Sequence, residues 1–129
     1  MTSVPAARRI LVVEDDDNIA AALHYILGRE GLQCDRISSG SAALARIRDT
    51  RPDLVLLDVM LPGVSGYDIC QEVRRDAALA PVRILMMTAR GSASERQRAL
   101  ALGADGFVTK PLDLPGFRAE LHRLLRLAV

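Results

Sequence analysis

The chain has 129 residues, half of them apolar, enough for one domain with a substantial core and too few for two. Its 17 lysines and arginines nearly balance 16 acidic residues, and a formal net charge of +1 excludes an overall field drawing it to nucleic acid or an acidic membrane. Cys34 and Cys70 have neither metal-ligand nor redox-motif spacing, and no signal peptide or 18-residue apolar span is present, so a reduced, cytoplasmic protein with no membrane association is the expectation.

In chain order, residues 1–8 are small and polar with a proline and read as a disordered lead-in, leaving 9–129 as the folded unit. Ile10 to Val13 is a continuous apolar run, the pattern of a strand buried on both faces, and it stops at Glu14, Asp15 and Asp16. Asp17 or Asn18 can cap a helix carrying Ile19, Leu23, Ile26 and Leu27, which Gly31 can end. Leu32 to Ile37 is mixed and suits an edge strand, and Leu44 and Ile47 mark a second helix. Leu54 to Leu57 is a second buried strand and stops at Asp58; Ile69 and Val73 follow at helical spacing. Ile84 to Met87 stops at Thr88, and Ser92 with Glu95 forms a capping box for a helix that carries Leu100 and closes at Gly103. Gly106 to Thr109, a short edge strand, stops at Lys110, and Asp113 before Pro115 opens a last helix with Phe117, Leu121, Leu124 and Leu125 on one face.

Five strand-helix units with connections this short predict an α/β fold: a doubly wound five-stranded parallel sheet with helices on both faces and right-handed crossovers. Strand order 2-1-3-4-5 leaves the two mixed strands outermost and puts the reversal of winding between the first and third strands. Ligands bind beyond the carboxyl ends at such a reversal, where Asp15 and Asp58 would face each other. Two carboxylates about 4 Å apart repel by roughly 4 kcal/mol at an effective dielectric near 20, so this cluster must protonate or bind a cation. Hard oxygen ligands favour Mg²⁺, completed by a backbone carbonyl and a phosphate oxygen. Lys110 and Thr88 then suit two phosphoryl oxygens, and Asp58 is the natural nucleophile, giving a hydrolysable aspartyl phosphate.

From about Arg9 to Leu127 the chain resembles the receiver (response regulator) domains of two-component signalling. The resemblance is carried by ILVVEDD at 10 to 16, LLDVMLPGVSG at 56 to 66, MMTAR at 86 to 90 and GADGFVTKPL at 103 to 112. It implies a flavodoxin-like fold and a phospho-accepting switch in a phosphorelay rather than a turnover enzyme. Position by position, it implies that Asp58 accepts phosphate from a phosphohistidine on a sensor histidine kinase or histidine phosphotransfer protein. Asp15, Asp58 and the carbonyl of Met60 would bind Mg²⁺ directly, with Glu14 acting through water. Thr88 and Lys110 would contact the phosphoryl group, the Lys110–Pro111 bond would be cis, and Asp16 would be a helix-entry residue rather than a ligand. Phe107 aligns with the family's switch aromatic, so modification would bias the surface made by the fourth helix, fifth strand and fifth helix. Met60 and Arg90 occupy places that tune phosphate lifetime, and Met60 offers no amide or carboxylate to orient water.

Taken singly, these residues are unremarkable: an Asp at a strand end is ordinarily a turn or cap, and only joint placement at four strand ends lends them meaning. His24 and His122 read as surface or boundary residues, the cysteines as small core residues, and Arg90, Arg96, Arg98, Arg118, Arg123 and Arg126 as a solvated face. A phosphohydrolase would carry a second Asp where Met60 stands, a phosphate-independent receiver would lack part of the set, and no G-x-G-x-x-G or P-loop supports nucleotide binding. Arg96, Arg98 and Asp105 fit the charges of receivers that dimerise through the fourth and fifth helices. Gly106, Glu120 and His122 depart from them, which leaves a monomer or a weak phosphorylation-dependent dimer. Two arrangements stay open: a single-domain regulator acting on a downstream protein target, or a receiver cut from a longer chain with an output domain. The receiver itself is expected to make no nucleic-acid contact.

Overall fold

In the computed structural model, residues 8–126 are described; the lead-in expected for residues 1–8 lies, apart from Arg8, outside them. The elements alternate as expected: β1 (Arg9–Val13), α1 (Asp17–Arg29), β2 (Gln33–Ile37), α2 (Gly40–Thr50), β3 (Leu54–Asp58), α3 (Gly66–Arg75), β4 (Arg83–Thr88), α4 (Ala93–Ala101), β5 (Gly106–Thr109) and α5 (Leu114–Leu125). A 3₁₀ turn at Ala77–Leu79, which periodicity does not signal, fills the approach to β4. All strands are parallel in the order β2-β1-β3-β4-β5, with Val13 beside Leu57 and Asp58 beside Met87.

Strand alternation divides the apolar runs between two cores. Ile10, Val12, Leu54, Leu56, Leu85 and Met87 face α1 and α5, meeting Leu23, Leu27, Phe117 and Leu121. Leu11, Val13, Val55, Leu57, Ile84 and Met86 face the other way, meeting Ala43, Ile47, Ile69, Val73 and Ala99 of α2, α3 and α4. Covering both faces is why the central strands read as unbroken hydrophobic runs.

Two local expectations are corrected. The cap of α1 is Asp16, whose Oδ1 accepts from the amides of Asn18 at 2.8 Å and Ile19 at 3.1 Å, so neither Asp17 nor Asn18 has that role. Leu100 is 43 % exposed, and Ala99 meets the sheet instead; one residue turns a helix by about 100°, and the small side chain lets α4 approach the sheet. The expected solvated face holds, since Arg90, Arg96, Arg98, Arg118, Arg123 and Arg126 are all exposed, and three of them also make contacts within the chain. Arg98 stacks on the Tyr67 ring at 4.2 Å, Arg118 pairs with Glu30 at 2.5 Å, and Arg123 pairs with Glu120 at 2.6 Å.

Other expectations hold. Ser92 caps α4 and Asp113 caps α5. Cys70 is buried and Cys34 partly so, and burial pushes both thiols up to about 11, which makes them poor nucleophiles. His24 is exposed, and His122 Nε2 lies 3.2 Å from Glu30 Oε2, joining α5 to the end of α1. No helix among the described residues is long and apolar enough to cross a membrane.

The two leucines of contrasting placement give a measurable difference. Leu27→Ala, at a fully buried position, should lower unfolding free energy by about 2–5 kcal/mol. Leu100→Ala should stay within about 0.5 kcal/mol of wild type in the same urea titration.

Candidate phosphoryl and cation site

The site forms where β1, β3, β4 and β5 end. Strand alternation carries the inward stripe Ile10–Val12 on to Glu14, and Leu54–Leu56 on to Asp58, so both carboxylates fall on the α1 and α5 side of adjacent strands. Glu14 is fully buried and Asp58 is 4 % exposed, whereas Asp15 is open to solvent. Lys110, just beyond β5, reaches back across the sheet: its Nζ donates to Glu14 Oε1 at 2.6 Å and to Asp58 Oδ2 at 2.9 Å. With neighbouring strands about 4.8 Å apart, β5 stands two spacings from β3, a gap that needs the long lysine stem.

The other predicted residues gather around this pair. The Met60 amide donates to Asp58 Oδ1 at 3.0 Å, while the residue as a whole is 67 % exposed. Thr88 is buried at the end of β4; its carbonyl accepts from the Lys110 amide at 2.8 Å and its Oγ1 from the Arg90 amide at 3.1 Å. Its hydroxyl is thus turned to the loop after β4. The Lys110–Pro111 peptide is cis, as the resemblance implied. Phe107 is buried among Met86, Ala99 and Tyr67 on the opposite face, and its phenyl ring brings no hydroxyl that would need a partner there. It lies away from the carboxylates.

Glu14, Asp15 and Asp58 each present one oxygen, and these oxygens lie within 4.8 Å of one another. An all-carboxylate set of hard donors fits Mg²⁺ and suits no soft metal. Asp16 is outside the set, occupied with capping α1.

Two residues that position the site escaped the sequence reading of individual roles. Gly66 opens α3 with its amide on the Val59 carbonyl at 3.0 Å, and a Cβ there would run into the Asp58 carbonyl and lie 2.9 Å from Val59 Cα. Only glycine lets α3 start this close behind Asp58; its place at the end of LLDVMLPGVSG, eight residues after Asp58, was the available signal. Arg36, at the end of β2, donates from Nε to the Glu14 carbonyl at 2.8 Å, and nothing local in the sequence indicates that contact.

Burial pushes the Glu14 carboxyl up to about 7, opposed by the hydrogen bond from Lys110 and reinforced by nearby Asp58. For Lys110, desolvation disfavours the charged form, but its bonds to Glu14 and Asp58 outweigh that and hold its pKa above the usual value. A carboxyl whose folded pKa is raised favours the folded state below its unfolded pKa and loses that advantage as it ionises. Metal-free protein should therefore lose stability between pH 4.5 and about 7 through Glu14. Thermal melts across that window should show the slope flattened in Glu14→Gln and, for wild type, reduced by added Mg²⁺.

Comparison with known proteins agrees with this geometry. A family profile described as the response regulator receiver domain matches residues 10–122. The chain is 43 % identical over 120 residues to the phosphate regulon transcriptional regulatory protein PhoB of Rhizobium meliloti (strain 1021), covering 93 % of this chain and 53 % of that protein. It is 42 % identical over 119 residues to the DNA-binding response regulator MtrA of Mycolicibacterium smegmatis, covering 92 % of this chain and 51 % of that one. The chain thus spans about half the length of these curated relatives. Among solved structures, the chemotaxis protein CheY4 of Vibrio cholerae superposes with a TM-score of 0.85 at 28 % identity, covering 93 % of this chain and 100 % of that one. The BeF3-activated N-terminal receiver domain of Klebsiella pneumoniae RstA gives 0.84 at 29 % identity, covering 92 % and 99 %. The fold, the order of the four motifs and these similarities agree, and the chain belongs to the response regulator receiver domain family.

Proposed function

We propose that this chain, with residues 9–129 as its receiver unit, accepts a phosphoryl group on Asp58 from a phosphohistidine of a sensor histidine kinase or histidine phosphotransfer protein. The observation that carries this reading is the single Lys110 ammonium shared between buried Glu14 and Asp58, with Asp15 open beside them. A carboxylate oxygen of Asp58 attacks phosphorus; the P–N bond breaks with its electron pair on the imidazole nitrogen, which takes a proton from solvent. Lys110 Nζ holds one phosphoryl oxygen, and Thr88 Oγ1 holds another once it leaves the Arg90 amide. Asp15, Asp58 and the Met60 carbonyl would hold Mg²⁺, with Glu14 acting through water. Bound there, Mg²⁺ would supply positive charge against the crowded carboxylates and the incoming phosphoryl group, and so would assist the chain's own phosphorylation.

The movement of Thr88 frees space on the side where Phe107 lies, and the surface of α4, β5 and α5 changes as the readout. That surface would act on a downstream protein target or on an output domain of a longer chain. Support for a protein donor comes from an apolar concavity beside Lys110, formed by Ile19, Ala22, Ile26, Pro111, Leu112 and Leu114. A donor histidine has to reach Asp58 next to it, and Asn18 and Ala22 on exposed α1 would help choose the partner. Asp105 and Glu120 already pair within the chain, with Arg74 at 2.7 Å and Arg123 at 2.6 Å, which favours a monomer or a weak dimer. No nucleic-acid contact is assigned to this domain.

Incubation with acetyl phosphate and Mg²⁺ should add one phosphoryl mass to the intact wild type, with no gain in Asp58→Ala or without Mg²⁺. Absence of any gain, where a control receiver is modified, would leave a binding module that works without phosphate. In the same assay Met60→Asn should shorten the lifetime of the phosphorylated form, because the amide can orient an attacking water where the thioether cannot. An unchanged decay would remove Met60 as a determinant of lifetime.

A further inference from the structure

Arg36 touches none of the groups assigned a chemical role, yet it holds the peptide that joins two of them. From β2 its Nε donates to the Glu14 carbonyl at 2.8 Å, and Nη1 pairs with Asp17 Oδ1 at 2.9 Å in the first turn of α1. Its third nitrogen, Nη2, is buried with no protein partner, so the guanidinium lies against the protein rather than in open solvent. The Glu14 carbonyl and the Asp15 amide form one rigid peptide plane. Because Glu14 is anchored through its side chain to Lys110 and through its amide to the Ile37 carbonyl at 3.1 Å, tilt of this plane swings Asp15 against a fixed neighbour.

We propose that Arg36 is a positioning residue that orients the Asp15 carboxylate for a divalent cation. This rests on the receiver reading above and adds to it a residue outside the ligand set. A guanidinium beside a cation site is repulsive by itself, and Asp17, paired on its other side, offsets that charge. The two possible effects therefore have opposite signs. If Arg36 acts only through its charge, removing it tightens cation binding; if it orients the loop, removing it weakens binding.

The test is a titration of the whole chain with Mg²⁺ alone, followed by backbone amide NMR, for wild type, Arg36→Met and Arg36→Lys. Arg36→Met should bind Mg²⁺ about 10-fold more weakly, the low end of what loss of a residue supporting metal ligands produces. Arg36→Lys keeps the charge but loses the planar fork, and should also weaken binding. Phosphorylation by acetyl phosphate should recover to within about two-fold of wild type at saturating Mg²⁺, a split that general destabilisation would not produce. Equal or tighter binding in Arg36→Met overturns the proposal. Should that variant fail to fold, wild-type affinity in Arg36→Lys overturns it instead. A wild type that neither binds Mg²⁺ nor gains phosphate refutes the receiver reading itself, a distinguishable outcome.

Discussion

Glu14 and Asp58 are two buried carboxylates on neighbouring strands, and one ammonium, Lys110 Nζ, lies within 2.9 Å of both. Burial, with Asp58 nearby, acts against ionising Glu14, and the hydrogen bond from Lys110 offsets only part of that. The rest of the chain can be understood as what brings these groups together and keeps them apart from bulk water. β1 and β3 must be adjacent, which the reversal of winding between them accomplishes. β5 must end level with β3 although β4 intervenes, and the Lys110 amide on the Thr88 carbonyl at 2.8 Å secures that level.

The same sheet has to be buried on both faces to support polar groups at its end. Alternation along each strand sends every second residue to α1 and α5 and the others to α2, α3 and α4, so a one-residue slip of β3 would move Asp58 to the wrong face. α4 is the exception among the covering helices, with Ala99 as its only fully buried residue. Part of its attachment is polar and lateral, through Arg98 on the Tyr67 ring. An element held with little apolar burial is a suitable one to respond to a change at Thr88, which stands at the end of the preceding strand.

Loop geometry completes the site. Asp16 caps α1 and so is unavailable as a ligand, Gly66 lets α3 begin against the Asp58–Val59 peptide, and Arg36 ties the loop after β1 to β2. These residues carry no reacting atom, but each limits where a carboxylate next to it can point. The backbone amide of Met60 on Asp58 Oδ1 does the same from the other side, leaving its side chain in solvent.

Composition and periodicity alone pointed to the element order, the parallel sheet and its strand order, because three unbroken apolar runs flanked by two mixed ones and separated by helical spacing admit few other arrangements. They also singled out Glu14, Asp15, Asp58, Thr88 and Lys110, since a polar residue that abruptly ends a buried strand is visible in one dimension. What needed tertiary structure was anything decided by distance between segments remote in the chain. That Asp16 rather than Asp17 caps α1, and that Ala99 rather than Leu100 meets the sheet, depends on helix phase, which an error of one residue changes by about 100°. The contacts of Arg36 with Glu14, 22 residues away, and of Lys110 with Glu14, 96 residues away, leave no periodic trace in the chain. Burial of Glu14, and with it the rise of its pKa to about 7, arises only when the α1 and α5 face closes over the strand end and excludes water.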